Sequence, residues 1–232
     1  MKLSIIVPCY NEAKDILSKS ELILKKMGTL SIDSELILVN DGSKDKTADD
    51  MRFVKGANII SYEPNRGKGG AVKAGIETAT GDYILFMDAD LSTDLSAIDT
   101  VITHLNEYDL IIGSRHHKES KMPIKQPFSR RFIGWCCRHI VNMTFHFHYS
   151  DTQCGFKAIR TSVAKYMASK QIINGFAFDV EYLYIAKLMK YSIKEIPVIW
   201  RDDRGSTVSP IKSSIRFFKD LSKIKKNKKN YL

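Results

Sequence analysis

The first hundred residues alternate between runs that are apolar throughout and runs that are apolar on one side only. Leu3–Val7 is a continuous apolar run closed by Pro8, as expected of a strand buried on both faces. Over Asn11–Met27 the apolar positions Ile16, Leu22, Ile23 and Met27 trace a helical stripe. Glu35–Val39 predicts a second strand, stopped by the turn-forming Asn40-Asp41-Gly42-Ser43. A polar helix from about Thr47, a strand over Ala57–Tyr62, a helix over Gly69–Thr80 and a buried strand over Tyr83–Met87 follow. Leu95–Leu105 predicts a helix and Asp109–Gly113 a further strand. The polar stretch His116–Arg131 predicts a long mobile loop. The helix after it, Phe132–Phe147, carries Trp135, Ile140, Met143 and Phe147 on or near one face. A helix over Phe178–Tyr191 then leads into the β-like run Ile193–Trp200.

Strands alternating with helices predict an α/β fold, one domain with a mostly parallel central sheet flanked by helices. Ligands in such sheets bind at the carboxyl ends of the strands. Four segments therefore become candidates: Pro8–Glu12, Asn40–Ser43, Asp88–Asp90 and Ser114–Arg115.

Charge changes this picture at one end only. The chain of 232 residues carries a formal +10. From Ile211 to Leu232 eight basic residues face only Asp220, giving 8 − 1 = +7 and leaving +3 for the rest. The division is thus 1–210 for a catalytic domain and 211–232 for a basic tail. Ile211, Ile215, Phe218, Leu221 and Ile224 recur in the tail at helical spacing, which predicts a basic amphipathic helix suited to an anionic membrane surface. The same charge suggests a nucleic-acid binder, but the interleaved apolar stripe argues against nucleic acid as the partner. Cys9, Cys136, Cys137 and Cys154 have neither CxxC nor zinc spacing and read as reduced thiols. The start of the chain is no signal peptide, and no run of about 18 apolar residues predicts a spanning helix.

Asp88-Ala89-Asp90 closes an apolar strand. Where a strand end turns, both carboxylates can converge on one divalent cation, Mg²⁺ or Mn²⁺, which would neutralise a departing diphosphate. The plainer reading is two solvated carboxylates. Lys68 lies in Asn65-Arg66-Gly67-Lys68-Gly69-Gly70 ahead of a helix, where glycines let backbone amides approach phosphate. Neither G-x-x-x-x-G-K-[ST] nor G-x-G-x-x-G is present, so a simple tight turn is the rival reading.

Taken in order, SIIVPCYNE, LILVNDGSKDKT, NRGKGGAVKAG, LFMDADLST, IIGSR, DTQCGFKA and FAFDVEYLYIAK resemble family 2 glycosyltransferases of the polyprenyl-phosphate type. Within them the dolichyl-phosphate β-glucosyltransferases are most similar. The resemblance runs from about Leu3 to Ser209 and implies a Rossmann-like GT-A fold. It implies that Pro8, Tyr10, Asn11 and Glu12 pack around the base and ribose of a nucleotide sugar, and that Asp41 reads the base. It places Lys68 near the donor and Asp88 and Asp90 on the metal, Asp90 as the more direct ligand. Arg115, Arg130 and Arg131 fall where relatives hold the acceptor phosphate. Asp151 and Gln153 match a position of the metal or sugar site, and Asp179 and Glu181 the FDVE block, without a role.

The resemblance thus implies an inverting hexosyltransferase using a UDP-hexose, with glucose favoured, and a polyprenyl phosphate acceptor. It implies a cytoplasmic protein held peripherally at the inner membrane face. A soluble glycan or cell-wall polymer as acceptor, and GDP-mannose as donor, are the alternatives. Two departures bear on this. Leu91-Ser92 replaces the Leu-Gln that mannosyl relatives carry after DAD, and Asn40 stands where many relatives have aspartate. Bacterial relatives often carry spanning helices after this domain, and here membrane contact is expected to be peripheral.

Overall fold

The computed structural model describes residues 1–124, 128–201 and 210–232, with side chains 128–130 and 210–215 left out. Seven strands, β1 (Lys2–Cys9), β2 (Asp33–Asp41), β3 (Ala57–Tyr62), β4 (Tyr83–Met87), β5 (Leu110–Ser114), β6 (Phe156–Arg160) and β7 (Ile193–Pro197), form one sheet in the order β3-β2-β1-β4-β6-β5-β7. All pairings are parallel except those of β6, which runs antiparallel to β4 and β5. The α/β expectation with a mostly parallel sheet therefore holds.

The continuous apolar runs reflect burial on both faces. Ile6, Ile37, Ile84 and Phe86 point into one core layer and Ile5, Val7, Leu36, Leu38 and Leu85 into the other. Helices α1 (Ile16–Met27), α2 (Thr47–Met51) and α4 (Ala97–His104) pack on the second layer. Helices α3 (Lys68–Thr78), α6 (Thr161–Lys170) and α7 (Phe178–Met189) pack on the first.

Three differences from the sequence reading matter. First, β6 and α6 lie in a stretch that gave no predicted element, because a five-residue run such as Phe156–Arg160 has no distinctive period. Second, α5 begins at Phe128 and ends at Phe145, so the loop expected over His116–Arg131 ends earlier; of that loop, residues 125–127 lie outside the described residues.

Third, the described part of the tail packs mostly on the core rather than presenting an apolar stripe. In α8 (Pro210–Lys226) and α9 (Lys228–Tyr231), Phe217, Leu221, Ile224 and Tyr231 are buried in the first core layer; Phe218 is half-exposed. The side chains of Ile211 and Ile215 lie outside the described residues. The cause is α7, which is buried on all sides from Phe178 to Ala186 and needs a covering layer. Tyr184 and Tyr231 meet edge to face at 6.2 Å.

Candidate active site

The carboxyl ends of β1, β2 and β4 open onto a cleft of about 1030 Å³. It is lined by Pro8, Tyr10, Asn11, Glu12, Asp41, Lys68, Asp88, Asp90 and Gln153, which are all the residues expected at the donor and the metal. The loops are stitched together. Asn11 N donates to Ser43 Oγ at 3.0 Å, Lys44 N to Asn11 Oδ1 at 2.8 Å, and Glu12 N to Thr47 Oγ1 at 2.7 Å.

Asp41 is fully engaged. Tyr62 Oη (2.9 Å) and Arg66 N (2.7 Å) donate to its Oδ1, and Asn65 Nδ2 (2.9 Å) and Gly67 N (2.8 Å) to its Oδ2. In this structure the carboxylate clamps the glycine segment before α3. Gly67 sits at φ 93, and a Cβ there would come within 2.6 Å of Asn174 O. Only glycine allows that approach.

Lys68 Nζ lies 2.5 Å from Asp88 Oδ1, its ammonium reinforced by Asp88 and Asp179 against burial, which opposes the charge. A Cβ on Gly155 would overlap the Asp88 carboxylate, so the glycine of DTQCGFK makes room for it. Behind it Lys157, fully buried, pairs with Asp179 at 2.7 Å, which gives the FDVE aspartate a structural role. Asp90 follows on a turn whose Leu91 adopts φ 55, a costly conformation for leucine, and accepts Ser92 N at 2.9 Å. Burial, and then Asp88, hold the Asp90 carboxyl above its ordinary value.

This donor set suits a divalent cation. Asp88 pairs with Lys68 and Asp179 with Lys157, while Asp90 has no ion pair among the described residues, and its carboxyl is raised first by burial and then by Asp88. Among the described residues no third His, Cys, Asp or Glu joins the pair as a metal cluster. That matches Mg²⁺ or Mn²⁺, which take one or two carboxylates and fill the rest with phosphate and water.

Beside this lies the expected acceptor side. Arg115 forks onto Asp151, Nε to Oδ2 at 2.6 Å and Nη2 to Oδ1 at 3.0 Å, and its amide adds a third bond at 3.0 Å. Despite burial, which acts the other way, Arg115 holds the Asp151 carboxyl far below the usual range. Asp151 therefore orients Arg115, and its oxygens are committed there. Glu195 fixes the turn from below by accepting Ser150 N and Asp151 N at 2.9 and 3.1 Å. Arg131 is exposed on the first turns of α5, and the Arg130 side chain lies outside the described residues.

Sequence reasoning missed Arg138 and three residues of α8. Arg138 shares the inward face of α5 with the buried Val141 and Phe145. There burial and Arg115 lower its guanidinium while Asp151 opposes them, so it lies within electrostatic reach of the Arg115–Asp151 pair. Arg216, Phe217 and Asp220 of α8 close the donor cleft. The spacing of Arg138 to Val141 and Phe145 was a readable signal; the return of the tail to the cleft had none.

Residues 4–167 match the family described as Glycosyl transferase family 2. The chain is 33% identical over 240 residues to a dolichyl-phosphate beta-glucosyltransferase of Dictyostelium discoideum, covering 96% of this chain and 73% of that protein. The human protein of that name is 32% identical, covering 95% and 74%. Among solved structures, glucosyl-3-phosphoglycerate synthase from Mycobacterium tuberculosis, in complex with Mn²⁺, UDP and glucosyl-3-phosphoglycerate, superposes with a TM-score of 0.72. That match has 16% identity and covers 96% of this chain and 79% of the other. S. aureus TarS 1-349 gives 0.61 at 17% identity, covering 97% and 65%. These two likenesses concern the fold, which is of the GT-A type. By sequence along most of its length, this chain belongs to glycosyl transferase family 2 and is a glycosyltransferase.

Proposed function

We propose that the protein moves glucose from UDP-glucose to a polyprenyl phosphate of the dolichyl kind at a membrane surface, with inversion at the anomeric carbon. One observation carries this: a single cleft gathers the Asp88/Asp90 pair and the Lys68 glycine segment, and the Arg115 fork lies within electrostatic reach of Asp88. The names of its relatives support the sugar and the lipid.

Asp88 and Asp90 would hold the divalent cation, which when bound supplies charge neutralisation to the diphosphate. Lys68 and the amides opening α3 add positive charge where the leaving phosphates gather. Pro8, Tyr10, Asn11 and Glu12 would frame the nucleoside, while Asp41 keeps the glycine segment in place. An acceptor phosphate monoester loses its second proton at a pKa of about 6, so it arrives as an anion and needs no strong base. Arg115, held by Asp151, positions it for in-line attack opposite the nucleotide.

The test is direct. Incubation with UDP-glucose, Mn²⁺ and dolichyl phosphate should yield glucose that partitions into organic solvent. Label that stays aqueous, on a glycan or polymer, would replace the lipid acceptor. Thermal protection by UDP should exceed that by GDP; the reverse would move the donor to GDP-mannose.

A further inference from the structure

Most amphipathic helices in this protein bury their apolar side, but α5 has two apolar sides. Val141 and Phe145 face the body of the protein and are buried. On the opposite side Trp135, His139, Ile140 and Met143 follow one another at helical spacing, and Ile133 flanks them. Trp135 is 49% exposed, Ile140 40%, Ile133 46% and Met143 75%. Phe132 stacks on Trp135 at 6.3 Å, and Trp135 lies 4.0 Å from the His139 ring, so the outer face is an ordered aromatic surface. Met122 and Ile124, in the segment leading to the helix, are exposed as well.

Scattered exposed apolar residues need no explanation, but a continuous stripe on one helix does. Its surroundings say what covers it. Between Lys121 and Ser150 the sequence has Lys121, Lys125, Arg130, Arg131 and Arg138 and no Asp or Glu, a net +5. An apolar stripe with tryptophan, in a basic segment that holds no acidic residue, complements an interface of acyl chains under anionic headgroups. Among the described residues no helix is long and apolar enough to cross a bilayer, so the contact lies along the surface.

We propose that the outer face of α5, rather than the C-terminal tail, seats the protein on an anionic lipid surface. This rests on the lipid-acceptor reading above and names its membrane element. The geometry gives the contact a purpose. Arg138, on the helix side that carries the buried Val141 and Phe145, lies within electrostatic reach of Arg115 and Asp151, while Trp135 and Met143 on the outer side enter the interface. One helix width separates the two, so a lipid phosphate at the headgroup level would lie within about 10 Å of the acceptor arginines.

The test uses the full chain with vesicles of phosphatidylcholine alone or with phosphatidylglycerol. Only Trp135 and Trp200 fluoresce as tryptophans, and Trp135 alone lies on the outer face. Emission should shift to shorter wavelength and be quenched by brominated acyl chains only when phosphatidylglycerol is present. Ile140→Gln with Met143→Gln should weaken vesicle binding at least tenfold while thermal protection by UDP stays unchanged. A lysine-to-glutamine variant at Lys225, Lys226, Lys228 and Lys229 should bind within about twofold of wild type. Undiminished binding by the α5 variant, or loss with the tail variant alone, would overturn the proposal. So would a concentration-dependent dimer that the α5 substitutions abolish, since a second copy would then own the face. Failure of glucose transfer with vesicle binding intact would sink the lipid-acceptor reading and leave this surface standing.

Discussion

On the donor side of the cleft the polar groups are committed to one another. Asp41 takes four donors, Lys68 is paired with Asp88, and Lys157 with Asp179. On the acceptor side Arg115 has Asp151 and the Trp200 ring 5.6 Å away, while Arg138 has no ion pair or hydrogen bond among the described residues. The donor side is also roofed by α8, whereas the acceptor side borders the open outer face of α5. A small, soluble, multiply charged donor rewards a pocket built in advance. An acceptor whose bulk stays in lipid needs only a fixed cation at its phosphate and a way to approach. On the proposed function, the difference between the two sides is the difference between their substrates.

The largest effect should come from breaking the donor side at Asp90. Asp90→Asn should leave the fold intact and lower turnover roughly 10²–10⁴-fold, the range for several kcal/mol of lost charge stabilisation. Chelator should do the same to wild type, and full activity after exhaustive chelation would refute the metal role. The pH dependence has a definite sign. A cation binds the carboxylate, so Mn²⁺-dependent protection by UDP should fall as pH drops through the raised Asp90 value. That fall should begin above the usual aspartate pKa of about 4, and Asp90→Asn should lose the pH-dependent part.

On the acceptor side, Arg115→Ala should raise the KM for lipid phosphate about 10–150-fold, or roughly 1.5–3 kcal/mol for a charge-assisted bond, and that for UDP-glucose far less. Because the alanine would strand buried Asp151, Arg115→Lys is the control. It keeps the charge, loses the fork, and should show a smaller shift in the same direction. Equal changes for both substrates would assign Arg115 to the fold.

Two arginines on one helix sharpen this. Arg138→Gln should raise the acceptor KM about 3–10-fold, since Arg138 is only half buried and lacks a clamp. Arg131→Gln, on an exposed turn, should change little with a short-chain acceptor free in solution. The opposite ranking would return the phosphate site to the start of α5.

Such contrasts also mark how far the sequence reading reached. The strand ends were legible because a parallel sheet buried on both faces writes itself as unbroken apolar runs, and the turn residues after them stand out. Most of the residues that follow those ends, Pro8, Tyr10, Asn11, Glu12, Asp41, Asp88 and Asp90, line one cleft. Pairings between distant segments were not legible: nothing local in Asp151 announces Arg115, nor in Lys157 its partner Asp179. The two amphipathic helices show the same limit. The stripe of α8 and the stripe of α5 look alike as patterns, yet Leu221 and Ile224 of the first are buried in the core while Trp135, Ile140 and Met143 of the second are exposed. A stripe shows that a face is apolar and is silent on what meets it, because the partner, here α7, is encoded elsewhere.

The smallest expected effect concerns the end of the tail and the donor side that it roofs. Tyr231 is fully buried, and its hydroxyl donates to Glu181 Oε1 at 2.6 Å. Glu181 also accepts Ile172 N and Ile173 N, at 2.9 and 3.0 Å, and so fixes the loop whose Asn174 carbonyl abuts Gly67 and accepts Gly70 N. The last turn of the chain is thereby two contacts away from the phosphate segment. Tyr231→Phe keeps the ring in its socket and removes one bond, a loss of about 1 kcal/mol, or roughly 2–4 °C in Tm for a chain of this size. If the loop transmits it, UDP affinity should fall about two- to threefold, and thermal denaturation with and without UDP reads both quantities. A lowered Tm with the increment from UDP unchanged would mean that the tail only covers α7. A wild-type Tm would mean that the Glu181 bond contributes nothing, and that the ring alone holds the tail against the core.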